Sequence, residues 1–329
     1  MNLLKMRPII KSDWWRIGPS PDLLKVLPYP KIGDKKHEMV DHHVFQDDNG
    51  KWHLWGCIRA CSVERILYHW QSDDITGNNW ECTEEILRCD RKYGECCNDG
   101  NSEQIQSPFI VKHDGLFYML FGGVEVEADS WTETETALAA TFRVAQICLM
   151  TSDDGLNWTR HKNEKGRSRI FVGPGAARDP SLIKIEDLWY CYYAGFHEGD
   201  SLNAGVYLRT SKDLMNWSDW KLVHYDEHFH HHKYMAECPT VIKNGEWYYL
   251  FITENYYKAR SYVFASKDPN DFGVFDGRDD YDVNDYFVGV IKTAAPEIIT
   301  DKDGNQYITS NHDLTGGTLM ARLGWTEIE

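Results

Sequence analysis

Three carboxylates stand out by where they fall in the chain. Asp41, Asp179 and Glu237 each lie at the start of a short apolar run that meets a tight turn and then an aromatic, β-branched run. In two further copies of the same shape, Ser107 and Ala295 hold the equivalent place. If these starting points converge in the fold, three acids share one small region. Like charges held together resist joint ionisation, so one of them becomes available as a general acid beside a base. A single such acid reads as a turn cap or as the partner of a neighbour such as Arg178; three at equivalent positions read as a reaction centre.

The elements that would position these acids form a repeat. Asp41-His42-His43-Val44-Phe45 precedes Asn49-Gly50 and Trp52-His53-Leu54-Trp55, and Ser107-Pro108-Phe109-Ile110-Val111 precedes Asp114-Gly115 and Phe117-Tyr118-Met119-Leu120. The shape returns at Asp179-Pro180-Ser181-Leu182-Ile183, at Glu237-Cys238-Pro239-Thr240-Val241 and at Ala295-Pro296-Glu297-Ile298-Ile299. Marks at 41, 107, 179, 238 and 295 give successive spacings of 66, 72, 59 and 57 residues. Asn-Gly and Asp-Gly turns flanked by runs of period two are the signature of half-buried hairpins. A second signal follows inside four units, where Ser72-Asp73-Asp74 leads to Trp80, Ser152-Asp153-Asp154 to Trp158, Ser211-Lys212-Asp213 to Trp217 and Ser266-Lys267-Asp268 to Phe272. These read as outer-strand turns closed by an aromatic.

Two hairpins per unit make a four-stranded antiparallel sheet, and five such sheets packed radially make a propeller. A β-sandwich also has recurring short strands, but it gives no reason for a motif at near-constant long spacing. The reading is an all-β chain, a five-bladed β-propeller of four-stranded antiparallel blades forming one domain over residues 1–329, with blades starting near 39, 107, 179, 238 and 295. Residues 1–36 lack periodicity and are expected to wrap the propeller or close it by lending a strand. Blade one is expected to end at Trp80, with 81–106 an excursion between blades and 125–143 an insertion in blade two, in which 132–140 forms a short helix or a loop over the mouth.

Composition narrows the partners. With 51 acidic against 35 basic residues the net charge is −16, which repels polyanions over most of the surface and argues against nucleic acid. No run approaches the roughly 20 apolar residues of a membrane span, and Met1 to Ile10 lacks a signal peptide's apolar core and cleavage site. The expectation is a cytoplasmic protein, or an exported one whose leader has been removed. Nine cysteines at spacings without a CxxC pair do not make a zinc site; they read as free thiols, or as one or two disulfides if the protein is exported. The stretch 224–233, with five histidines, reads as a solvated loop or the polar wall of a cleft before it reads as a metal site. The 13 Trp, 18 Tyr and 13 Phe suit both a strand-rich core and a cleft that binds sugar faces. Two carboxylates flanking a glycosidic bond are the minimum equipment for its hydrolysis, and a third can tune or stabilise.

At these residues the sequence resembles known families. Arg178-Asp179-Pro180 resembles the Arg-Asp-Pro motif, and Glu237-Cys238-Pro239 the Glu-Cys-Pro motif, of the five-bladed propeller glycoside hydrolases of family 32. The order Asp41, Asp179, Glu237 across blades one, three and four is equally similar to family 43. The resemblance implies Asp41 as base or nucleophile, Asp179 as transition-state stabiliser or pKa modulator, and Glu237 as acid. His42, His43, Ser107, Arg178 and His312 would then contact substrate, an oligosaccharide or polysaccharide. No cofactor is required. His312 could instead correspond to a family 43 histidine that holds a single calcium or sodium ion on the propeller axis, or it could be a turn residue. Two departures are plain: blade one has Asp41-His42-His43 in place of Asp-Pro, and blade two lacks the Trp-Ala-Pro common in family 43. The activity implied is removal of a non-reducing-end pentose, fructose or related sugar. A phosphorylase of the same fold and a non-catalytic carbohydrate-binding propeller are the alternatives.

Overall fold

In the computed structural model of the chain, residues 4–27, 36–97, 102–124, 145–175, 177–196, 204–229, 236–275 and 281–328 are described. The expected insertion 125–143 and His230, His231 and His232 lie outside them. The described chain is built of strands, with only short 3-10 turns as helix. It divides into two compact units: Met1–Trp15, Ser181–His312 and Leu319–Glu329 form one, and Arg16–Pro180 with Asp313–Thr318 the other.

After β1 (Met6–Ile10) and β2 (Trp15–Pro19), five antiparallel sheets follow in chain order. The first holds β3 (Glu38–Gln46), β4 (Trp52–Cys61), β5 (Glu64–Ser72) and β6 (Glu81–Leu87). It therefore runs past Trp80 to Leu87. The last strand escapes the sequence reading because Glu81-Cys82-Thr83-Glu84-Glu85 is a solvent-facing outer strand; its backbone pairs with β5 while its side chains carry charge in place of an apolar alternation. A two-stranded ribbon follows, β7 (Cys96–Cys97) on β8 (Ser102–Glu103). The second sheet is β9 (Gln106–His113), β10 (Leu116–Val124) and β11 (Ala145–Ser152), its outer edge shared by β12 (Thr159–Arg160) and β13 (Arg169–Val172).

The third sheet is β14 (Arg178–Ile185), β15 (Leu188–Phe196), β16 (Ala204–Ser211) and β17 (Lys221–His224), and the fourth β18 (Glu237–Asn244), β19 (Trp247–Asn255), β20 (Arg260–Ser266) and β21 (Phe287–Ile291). The fifth has three strands of its own, β22 (Ile298–Thr300), β23 (Gln306–Ser310) and β24 (Gly317–Glu327). Two more come from the start of the chain and both pair with β24: β2, and β1, which runs antiparallel to it with Met6 opposite Glu327 and Ile10 opposite Leu323.

The repeated Ser-x-Asp signal has a definite physical basis. At the turn after β11, Ser152 Oγ accepts from the Asp154 and Gly155 amides, while the Asp154 carboxylate accepts from the Leu156 and Asn157 amides and the Asn157 side chain. Ser211, Asp213 and Asn216 repeat the arrangement after β16. Each turn satisfies backbone donors that would otherwise be orphaned where the third strand turns into the fourth. Partial burial pushes the Asp213 carboxyl up, but the bonds from Asn216 and Met215 outweigh it and leave the pKa at about 2.

Between the sheets the side chains are large and apolar. Trp55, Trp70, Phe121 and Met119 are fully buried in one unit, and Tyr249, Phe251, Val263, Ile308 and Ala321 form a core in the other.

A buried polar chain crosses the first sheet. Thr83 Oγ1 donates to the His69 carbonyl, so it receives the His69 Nδ1 proton at 2.9 Å; His69 Nε2 then accepts from His53 Nδ1 at 2.9 Å. With Nδ1 donating and Nε2 accepting, the His69 ring is neutral in this pattern. Burial, and then the nearness of His53, holds the His69 pKa at about 3. A folded-state pKa below the unfolded value of about 6.5 means that the unfolded chain takes up the proton first, so stability is present above about pH 6.5 and is lost as pH falls. Between pH 7.5 and 5 we expect His69 to account for about 2 kcal/mol of lost stability. Denaturant midpoints at the two pH values should fall less for His69→Gln than for the unsubstituted protein; equal losses would place the acid sensitivity elsewhere.

Candidate active site

Each mark of the repeat is a distorted strand start. Ser107, Asp179, Cys238 and Ala295 have φ of 50°, 56°, 49° and 47°, in the left-handed region that L-residues seldom enter, and each is followed by proline. In the second sheet Ser107 and Pro108 together face Phe121, and in the fourth Cys238 and Pro239 together face Ile252. Two residues against one is a β-bulge, which bends the strand and redirects its side chains. The first sheet has a bulge too, with Val40 and Asp41 facing Cys57, but there His42 stands in place of proline and Asp41 is not among the positive-φ residues. Strict alternation would send the residue directly before a proline and the residue two before it to opposite faces. In the fourth sheet it does not run through the bulge, and Ala236, with φ of 72°, breaks it again just ahead of Glu237.

In one unit these distortions bring Asp41, Ser107 and Asp179 together. Ser107 Oγ stands 2.7 Å from Asp41 Oδ2 and 2.7 Å from Asp179 Oδ1, so the two carboxylate oxygens are at most twice that distance apart. Asp41, Ser107 and Asp179 are respectively 9%, 4% and 7% exposed. Arg178 Nε lies 3.4 Å from Asp179 Oδ2, longer than the roughly 2.7–2.9 Å of a strong charge-assisted bond. Behind Asp41, burial pushes the Cys57 thiol up to about 12, so this cysteine is an inert neutral neighbour. His42 and His43 are buried on β3, and the His43 ring packs 4.1 Å from that of Phe109. The buried Gln106, just before Ser107, accepts a hydrogen bond from Arg65.

The other unit holds Glu237 and His312. Glu237 is half-buried at the head of β18, opposite Thr253, and the adjacent Cys238 Sγ lies 2.9 Å from the Tyr256 hydroxyl. Pairing register puts the connection between the second and third strands at the same end of the sheet as the mark. The connection from Asn255 to Arg260, with Tyr256 and the exposed Tyr257, is therefore at the Glu237 end of the fourth sheet. By the same rule His312 belongs to the connection after β23, at the mark end of the fifth sheet, where the Asn311 amide donates to the Ala294 carbonyl. His312 Nδ1 is 2.7 Å from Ser310 Oγ, and its ring meets the edge of Trp14.

Among the described residues no group of three or more His, Cys, Asp or Glu side chains is placed to hold a metal ion, and the contact with Ser310 is made by Nδ1 of His312. In the histidine-rich stretch His224 is buried with Nδ1 2.9 Å from the Phe272 carbonyl, and His228 bonds to Asp226 at 2.8 Å. The seven cysteines whose side chains are described are free thiols.

Sequence offers Ser107 only as a substrate contact, and the structure makes it a bridge between Asp41 and Asp179. One signal was available, in that Ser107 is the only mark carrying a hydroxyl. The contact of Tyr256 with Cys238 has no sequence signal, because it depends on how the hairpin of the fourth sheet folds back.

Comparison with known proteins bears on the fold and the family. The chain superposes on a thermostable family-43 glycoside hydrolase with a TM-score of 0.60 at 15% identity, over 92% of this chain and 93% of that one. On the family 32 β-fructofuranosidase of Bombyx mori the TM-score is 0.61 at 16% identity, over 93% and 67% of the two chains. A family 43 enzyme from Xanthomonas citri, solved with xylose, gives 0.59 at 13% identity over 93% and 95%. These likenesses show the fold, a five-bladed β-propeller. A β-1,2-mannobiose phosphorylase of Thermoanaerobacter sp. (strain X514) is 30% identical over 80 residues, 24% of this chain; the match spans about a quarter of that relative's length, 26%. Residues 49–313 match the family described as the glycosyl hydrolases family 32 N-terminal domain, and the chain belongs to that family.

Proposed function

We propose that the protein is a glycoside hydrolase that releases a non-reducing-end sugar, a pentose, fructose or a related residue, from an oligosaccharide or polysaccharide. The observation that carries this reading is the pair of nearly buried carboxylates, Asp41 and Asp179, held on one hydroxyl. Such a pair costs desolvation and repulsion, and the cost is tolerated where the charges act on a substrate. Asp41 acts at the anomeric carbon, as base toward water or as nucleophile. Asp179, with Arg178 beside it, stabilises positive charge developing on the sugar ring. Glu237 protonates the leaving oxygen. His42, His43 and His312 contact the sugar. No cofactor takes part, since an acid and a carboxylate suffice for the displacement.

A second reading is phosphorolysis, favoured by the local likeness to the mannobiose phosphorylase. Aryl glycosides of pentoses, fructose and mannose, incubated with and without inorganic phosphate, separate the two. Hydrolysis independent of phosphate supports the first reading, and a requirement for phosphate overturns it. Proton NMR of the first-formed anomer gives the stereochemical course, for which we expect inversion, because blade one lacks the Asn-Asp-Pro-Asn-Gly nucleophile signature of family 32.

Roles are assigned by leaving group. Glu237→Ala should cost about 10²- to 10⁴-fold on a substrate whose leaving group needs a proton, and far less on a dinitrophenyl glycoside. Asp41→Ala should damage both substrates alike, since attack on the anomeric carbon is common to them. Equal losses on the two substrates for Glu237→Ala would remove it from the acid's role; circular dichroism of each variant checks that it is folded.

A further inference from the structure

We infer that Ser107 is a positioning residue that joins Asp41 and Asp179 into one hydrogen-bonded unit, in which the two carboxyl groups share a single proton across its hydroxyl. The catalytic consequence rests on the hydrolase reading above; the proton count does not.

The argument is an inventory. Ser107 Oγ makes two contacts of 2.7 Å, to Asp41 Oδ2 and to Asp179 Oδ1, each a full O–H···O hydrogen-bond distance. A hydroxyl carries one proton and two lone pairs. With both carboxylates ionised, one contact would set lone pair against lone pair at that distance in a nearly dry site, unless the single proton were split between them. Adding one carboxyl proton satisfies both contacts, since the neutral carboxyl donates to Oγ and Oγ donates to the ionised partner. Two such arrangements exist, with the proton on Asp41 or on Asp179. They interconvert when both protons move along their own hydrogen bonds, which transfers one proton between the aspartates and leaves the serine hydroxyl intact.

The surroundings hold the unit in place and bias it. Ser107 has φ of 50° in the bulge opposite Phe121, which sets the position of its Cβ, and the contacts to the two aspartates fix Oγ. Arg178 Nε faces Asp179 Oδ2 and favours the arrangement with Asp179 ionised. On the Asp41 side stand the neutral Cys57 thiol, the neighbouring His42 and His43, and the Arg59 and Arg65 guanidiniums, whose field reaches Cys57. Attack at the anomeric carbon requires Asp41 as the carboxylate. Shifting the proton through Ser107 to Asp179 supplies it without exchange with bulk water, so Asp179 serves as the proton's reservoir as well as a stabilising charge.

Infrared difference spectra at neutral pH test the count. Spectra of the unsubstituted protein minus Asp41→Asn, and minus Asp179→Asn, should each contain the carbonyl stretch of one neutral carboxylic acid. That band should be lost in Ser107→Ala and retained in Ser107→Thr. Its absence from both difference spectra would mean a proton split between two ionised carboxylates and would overturn the inference without any Ser107 variant. For catalysis, Ser107→Ala should lower kcat/KM by roughly 10- to 100-fold, as expected for misplaced reacting groups, and move the acidic limb of its pH profile, with Ser107→Thr recovering both. An unmoved limb would reduce Ser107 to a packing residue. The band is read without substrate, so its presence in a protein that hydrolyses none of the glycosides would remove the hydrolase reading and leave the shared proton standing.

Discussion

Two carboxylates on one hydroxyl are the constraint the rest of the structure has to meet. Each is less than a tenth exposed, so each has lost most of the water that would stabilise its charge. They stay together because the backbone leaves them no alternative. Asp41, Ser107 and Asp179 start three different sheets, and in each the strand is bulged or held left-handed at that residue or beside it. Distortion of this sort costs about 1 to 3 kcal/mol per residue and persists only where its surroundings over-determine it. Here the surroundings are the hairpins themselves, stiffened at their outer turns by the Ser-x-Asp bonds and at their inner faces by Trp55, Met119 and Phe121.

Much of this was legible from sequence, because a repeat announces itself several times over. The Asn-Gly and Asp-Gly turns, the prolines after the marks and the Ser-x-Asp turns all carry local chemistry, and each appears where the sheets require it. What was not legible depends on partners distant in sequence or on geometry finer than alternation. Glu81–Leu87 is a strand by backbone pairing with β5 while its side chains advertise a charged loop. Residues 1–36 are expected to wrap the propeller or lend it a strand, but which of them pair is not legible, because Met6–Ile10 is short and aperiodic and becomes a strand where β24 receives it. The parity conflict between Asp179-Pro180 and Glu237-Cys238-Pro239 assumes an ideal alternation, which the bulge at Cys238 interrupts in the fourth sheet. The meeting of Asp41 and Asp179 is legible by position, but Ser107 is not legible as their link, since a hydroxyl at a mark says nothing about which two side chains it touches.

The first sheet is where the local backbone departs from the other sheets. Four marks are left-handed residues before proline, and the fifth, Asp41, is neither. With His42 in the following place, Asp41 lies second in its bulge, whereas Ser107 and Cys238 lie first in theirs. The same residue type thus leaves its strand by a different local geometry in the first sheet than a proline-marked start would give. That difference accompanies the loss of the Asp-Pro dipeptide.

The pairing of β1 with β24 has a consequence for how the chain is made. Met6 and Glu327 are among the most widely separated partners any strand pair in this chain joins, so the fifth sheet cannot be completed until nearly all the sequence is available. During synthesis the strand that appears early waits, unpaired, for the one that appears last, while the four sheets between them can form in order from local hairpins. Closure is then a late, long-range event laid over a series of fast, short-range ones, the combination that slows the final step of folding while leaving the intermediates well structured. An exposed β24 edge is the hazard of that interval, and the charged and polar residues near its end, Arg322, Thr326 and Glu327, are of the kind that discourages another chain from pairing there first.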